Sequence, residues 1–195
     1  MALVYPLSTP DTIGVENITI RAVNAVTTSQ SPFTYKQQVI SHGGQKWEVD
    51  VTIPSLHRDI SAEWVGMLVG LKGQTGTFKI GDPDYLTNIG DATSCLVTGN
   101  AGDESVNVVM TGTLVVGDYI QLGPNSMPRL HKVLKTKTGD GLLEIWPKLR
   151  VDYSDEDAKL NNTKGTFRLS SSVTEWSINN ASTYGISFQA VEVIY

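Results

Sequence analysis

Lys46-Trp47-Glu48-Val49-Asp50-Val51-Thr52-Ile53 decides how this chain is read. Trp47, Val49, Val51 and Ile53 fall on one side, and Glu48, Asp50 and Thr52 on the other. Strict alternation is the pattern of a strand with one buried and one wet face. Just upstream, Lys36–Ser41 predicts a second strand and His42-Gly43-Gly44-Gln45 its turn, so an antiparallel hairpin is expected about the two glycines. Residues 17–27 (NITIRAVNAVT) open with alternation at Ile18, Ile20 and Ala22 and predict another strand. Residues 28–35 (TSQSPFTY), broken by Pro32, predict a polar connection. Pro54 is expected to close the central strand, because it cannot donate to a ladder.

Downstream, the period changes. Ile60, Trp64, Met67, Leu68 and Leu71 recur at helical spacing and predict one amphipathic helix over 60–71. Asp59 suits its N-cap, Glu63 its first turn, Lys72 its last turn, and Gly73 its stop. Gly66, Val69 and Gly70 leave the opposite face almost without charge. A short strand around Thr75–Ile80 is expected next, ending in the turn Gly81-Asp82-Pro83-Asp84.

From residue 87 the composition becomes rich in Thr, Asn, Gly, Asp and Ser. Short β runs are expected at Ser94–Thr98, Ser105–Met110, Leu114–Leu122, Arg129–Thr136 and Gly141–Pro147. Gly117-Asp118, Gly123-Pro124-Asn125 and Thr138-Gly139-Asp140 separate them as turns. Strands spaced near ten residues suggest a small barrel or sandwich. Residues 151–165 (VDYSDEDAKLNNTKG) predict a polar, acidic connection. Thr166–Leu169, Glu175–Asn179 and Tyr184–Val193 return to β patterning, with Ile186, Phe188, Ala190 and Glu192 on one face. The first and last pieces each need strand partners, so the expected layout is one domain from 1–86 plus 166–195, with 87–165 inserted.

Composition bounds the function. The 195 residues carry 15 Lys+Arg and 20 Asp+Glu, a formal net charge of -5. That balance argues against a non-specific grip on nucleic acid or anionic lipid. Charged residues make up 18%, below the ~25% usual for a soluble monomer, so much of the surface is expected to be covered by something else. Met1-Ala2-Leu3-Val4-Tyr5-Pro6 lacks a basic n-region, and Pro6, Pro10 and Asp11 break any apolar run. No window reaches the ~20 apolar residues of a membrane span. The expectation is a soluble chain made in a reducing cytoplasm, without membrane insertion.

Catalytic signatures are sparse. His42, His57 and His131 share no ligand spacing, no HExxH occurs, and each reads as a surface or turn histidine. Cys95 lacks a basic neighbour and reads as a small buried hydrophobe; a single cysteine excludes an internal disulfide framework. Asp82 and Asp84 read as turn chemistry. Asp152, Asp155, Glu156 and Asp157 begin a calcium-loop pattern that Lys159 and Leu160 break, so a solvated acidic loop is expected. Gly73-Gln74-Thr75-Gly76-Thr77 and Gly139-Asp140-Gly141 fail the phosphate-loop and dinucleotide patterns, and no GxSxG occurs. Trp47 and Trp64 belong to the core by periodicity, leaving Trp146 and Trp176 as the pair that a carbohydrate platform could use. No catalytic, cofactor-binding or metal-ligating residue is assigned, and no cofactor is expected.

The two ends together resemble a known family. The carriers are Ser31-Pro32-Phe33-Thr34, Trp47-Glu48 with Asp50-Val51 and Ile53-Pro54, Ala62-Glu63-Trp64, and Gly76-Thr77-Phe78 with Gly81-Asp82-Pro83. Phe167-Arg168-Leu169, Tyr184-Gly185-Ile186-Ser187-Phe188, and Gly117 to Gly123 with Arg129-Leu130-His131 complete the set. In that order they resemble the distal tail (minor tail) proteins of siphophages and prophages.

The resemblance implies a mainly β fold: an antiparallel β-sandwich or barrel ring-forming domain with one helix, interrupted by a small inserted OB-like β-barrel. It further implies a structural, non-enzymatic virion protein at the tail tip. Its partners would be itself in a hexameric ring, the tail tube protein, the baseplate hub and tail fibre proteins, and the tape measure protein. DNA would pass through the lumen without specific binding. A subunit enclosed on two faces would explain the scarcity of charge. Two other readings stand beside it: the tube-forming or another minor tail protein, and a small carbohydrate-binding module or glycoside hydrolase.

Overall fold

The computed structural model describes residues 3–10, 14–180 and 182–194. Met1, Ala2 and Asp11, on which the N-terminal reading partly rests, lie outside them. The fold is mainly β with one helix among the described residues. In chain order the first elements are β1 (Leu7–Ser8), β2 (Asn17–Gln30), β3 (Gln37–His57), α1 (Arg58–Gly70) and β4 (Phe78–Ile80). The middle contributes β5 (Ser94–Gly99), β6 (Ser105–Thr111), β7 (Thr113–Leu114), β8 (Tyr119–Leu122) and β9 (Arg129–Val133). It continues with β10 (Lys137–Thr138), β11 (Gly141–Trp146) and β12 (Tyr153–Asp157). Then come β13 (Gly165–Leu169), β14 (Trp176–Ile178) and β15 (Thr183–Glu192).

Two large curled sheets result. The seven-stranded sheet runs β1-β4-β13-β15-β3-β2, with β14 beside β15; the six-stranded sheet runs β12-β5-β6-β11-β9-β8. All ladders are antiparallel except β1 with β4. Chain ends meet in the first sheet because β15 lies between β3 and β13. This pairing places Ala190 against Val49 and Phe188 against Val51.

Each sheet has its own apolar core. The first gathers Trp47, Val49, Val51 and Ile53 from β3, Trp64 and Leu68 from α1, and Phe78 and Phe167 from the neighbouring strands. The second gathers Cys95, Val97, Val106, Leu143 and Ile145, among others. Tyr119 and Leu130 of the middle region belong to the first core, so the two abut along β8 and β9.

Several local expectations need correction. Gly43-Gly44 is no hairpin turn: β3 runs unbroken through it, and the turn lies at Ser31–Lys36. Ser31 N donates to Lys36 O, Tyr35 N donates to Ser31 O, and Tyr35 takes the left-handed φ of 54°. The glycines make a bulge instead, between the pairs Asn24↔Gln45 and Val26↔Ser41. Gly43 stands at φ 69°, where a bulge needs a residue without a Cβ. Pro54 likewise fails to end β3, because the ladder with β15 is itself irregular between Ile53 and Leu56 and asks for no proline N–H there.

α1 starts earlier than expected. His57 is the N-cap residue without a side-chain cap, Asp59 lies in the first turn, and Lys72 follows the helix with φ 53°. Ile60 is exposed, while Ser61 is buried in its place and returns its hydroxyl to His57 O. Residues 153–157 are not a solvated connection but strand β12, paired with β5. Tyr153, Ala158 and Leu160 supply the buried side chains that hold it there.

Candidate functional site

The surface feature that stands out is the far half of the β2–β3 hairpin. Below the Asn24↔Gln45 pair, the odd-numbered residues of β3 enter the first core, and Trp47 is 3% exposed. Above it, residues 25–44 continue as a two-stranded arm paired through Gln30↔Gln37. Val26, Val39 and Ile40 are exposed there, and at the tip Phe33 is 91% and Tyr35 74% exposed. Between Ala22 and Gln45 the only formal charge is Lys36. β2 is also the outermost strand of its sheet, so its second edge offers unpaired backbone groups. A long edge without proline or clustered charge is a template for another chain.

The root of this arm is bolted to the middle region. Trp146 Nε1 donates to Asn24 Oδ1 at 2.9 Å, and Lys148 N donates to Gln45 Oε1 at 2.7 Å. Gln45 Nε2 reaches Glu104 Oε1 at 3.0 Å, and the Arg150 guanidinium donates to Gln45 O. One residue farther in, Trp47 Nε1 donates to Leu130 O at 2.9 Å while its ring meets Trp146 edge-on at 4.4 Å. Both residues of the last pair below the bulge are thus held by side chains or backbone of the middle region.

Beneath this contact lies a buried ion pair. Glu192 accepts from Trp47 N at 3.0 Å and faces Arg150 at 3.4 Å. Burial pushes the Glu192 carboxyl above its ordinary range, against the pull of the Trp47 N–H and Arg150. Such a pair is weak evidence for net stability, but removing one member strands the other.

The sequence candidates scatter. His42 bonds Thr27 across the arm and His57 sits exposed before α1. His131 is not a surface residue: it is 1% exposed, with Nδ1 donating to Pro147 O at 2.7 Å. Burial lowers its pKa to about 4, with nearby Arg150 and Arg129 adding to the shift. Alternation alone could not reveal this, since β9 is buried on both sides over Leu130-His131. Cys95 is buried, and burial pushes its thiol up to about 11. Asp152 accepts from Ala101 N, Asp155 exchanges bonds with Thr98, and Glu156 accepts from Gly123 N. Asp84 N donates to Asp82 Oδ1 in an Asx-type turn. Of the two platform tryptophans, Trp146 packs on Trp47 and Trp176 lies partly exposed on β14.

Among the described residues, no three His, Cys, Asp or Glu side chains form a metal-holding group, and no helix is long and apolar enough to cross a membrane. Sequence reasoning passed over the arm, although its signal was present: β-branched residues on both sides of Pro32 with almost no charge. No family model and no curated protein matches the chain.

Proposed function

We propose that this chain is a structural subunit of a phage tail tip, joined to copies of itself in a hexameric ring. One face of the ring would meet the tail tube, and the other the baseplate hub and fibre apparatus, with a lumen left for DNA. The observation that carries the reading is the arm: twenty or so charge-poor residues that reach past their own core, on an uncovered edge strand. Such a surface is costly for a monomer, because exposed strand edges invite uncontrolled pairing. A neighbouring subunit removes that cost, and a head-to-tail contact that closes gives a ring. The net charge of -5 supports a conduit that lets phosphates pass without adhering.

Negative-stain microscopy with light scattering tests this. Rings with a central hole are the expected result. A stacked open polymer would move the reading to a tube protein, and a monomer that binds oligosaccharides would overturn it. The arm is a better stacking element than the sequence alone suggested, so the tube reading keeps a specific support. The carbohydrate reading has less, since Trp146 already spends its ring on Trp47 and its N–H on Asn24.

A further inference from the structure

β13 and β14 lie against the same edge of β15, but they do not meet. β13 pairs Leu169 with Ala190, and β14 pairs Trp176 with Ile186. Ser170 N still donates to Gln189 O at 3.0 Å, beyond which the chain bows away to residue 175, and Ser187 and Phe188 have no strand partner on that side among the described residues. The gap opens a cleft of about 500 Å³. Val51, Leu68, Leu169, Val173 and Phe188 give it an apolar lining, with Asp50 and Glu175 among its polar wall residues. We propose that the arm tip of a neighbouring copy fills it, with Phe33 seated against Phe188 and Val173.

Three observations select that occupant. Phe33 is 91% exposed at the end of the two-stranded arm, and an aromatic side chain gains roughly 150–250 Å² of burial when a pocket receives it. Charge is complementary: the tip carries Lys36 alone, while Glu175 is exposed beside the cleft with no ion pair among the described residues. Asp50 is already occupied by Arg21, whose hydrogen bond holds the carboxyl below its ordinary pKa. Finally, the arm cannot serve its own cleft. Gln37 and Asp50 stand on the same strand, roughly 40 Å apart at ~3.3 Å per residue. Knob and socket on different surfaces of one chain make a heterologous contact. The proposal shares with the ring reading only the need for a second copy.

Mixed cross-linking tests it on the full chain. Thr34→Cys and Val173→Cys proteins, each substituted at an exposed site and both keeping Phe33, are mixed and oxidised with copper phenanthroline; Cys95 is buried and stays out. Disulfide between the two species is expected at least roughly tenfold above a mixture of Thr34→Cys with Leu142→Cys, on the exposed face of β11, because docking raises effective concentration. Phe33→Ala should weaken self-association by about tenfold or more, and Phe33→Tyr should restore it. Equal cross-linking to Leu142→Cys, or tip-to-tip Thr34→Cys dimers alone, overturns the socket. Rings that form unchanged with Phe33→Ala also overturn it while leaving the ring reading intact. Cross-linked chains that never close into rings would support the socket and sink the ring. A chain that stays monomeric and gives no cross-link overturns both.

Discussion

The two halves of the β2–β3 hairpin share one pair of strands and live in opposite environments. In the root, Trp47, Val49, Val51 and Ile53 face a core that α1 and the middle region fill, with β15 paired alongside, and charged residues mark the other face. In the arm, Val26, Val39 and Ile40 face solvent, and neither face carries a charge between Ala22 and Tyr35. The contrast shows that alternation says a strand has two faces but not whose atoms cover them. The charged face of the root is the mark of a surface meant for water. Its absence in the arm is what the proposed contact with another copy rests on.

The largest effect should come from the root. Trp47→Ala removes a buried ring that packs on Trp146 and Tyr119 and donates to Leu130 O. Loss of about 3–5 kcal/mol is expected, the usual range for a large core aromatic, read as a drop in denaturant midpoint at unchanged slope. A midpoint that barely moves would break the distinction between root and arm.

Acid should act at the same junction. His131 is neutral in the fold with a pKa of about 4, against 6.5 as its ordinary value. Its folded pKa is depressed, so its contribution is complete above about pH 6.5 and is lost as pH falls toward 4. The full loss is on the order of 3 kcal/mol. Glu192, raised by burial, acts in the opposite direction around its own titration. The measurement is therefore the stability difference between parent and His131→Asn across pH 4–7, which should shrink as pH falls. A difference independent of pH would show that the histidine titrates alike in both states.

The bulge that divides the halves is next. Gly43→Ala places a Cβ at φ 69°, within 3.1 Å of the Lys148 Nζ. The ammonium can move aside, so the cost is the left-handed backbone, about 1–2 kcal/mol, seen as a lower melting temperature. Smallest for folding are the arm changes: Val39→Lys should alter monomer stability by no more than about 0.5 kcal/mol while abolishing self-association by light scattering. If Val39→Lys destabilised the monomer as Trp47→Ala does, the arm would have a partner within its own chain.

Much of the local structure could be read from the residues. The strand 46–53, the helix carrying Trp64 and Leu68, and the short strands at Ser94 and Ser105 each have a period that one element imposes on its own sequence. Sites where two segments must choose each other could not be read so. Gly43-Gly44 looks like a turn until β2 is known to run alongside it. Asp155, Glu156 and Asp157 look like loop until β5 takes them as its edge, leaving their carboxylates on the outside. His131 looks like surface because one histidine between Leu130 and Lys132 carries no sign of what lies above it. The arm was legible as composition but not as a site, since nothing local says that a hairpin outruns its core.

By itself the sequence determined a mainly β chain with one helix, the buried faces of β3 and β15, and the shortage of charge. Those follow from side-chain period and transfer free energy, which each segment carries with it. Tertiary structure alone decided where the hairpin turns and that its far half stands free. It also decided that the middle region grips Asn24 and Gln45, and that a gap opens over Phe188. Each of these depends on which distant backbone satisfies a given N–H or C=O, and that choice belongs to the whole chain.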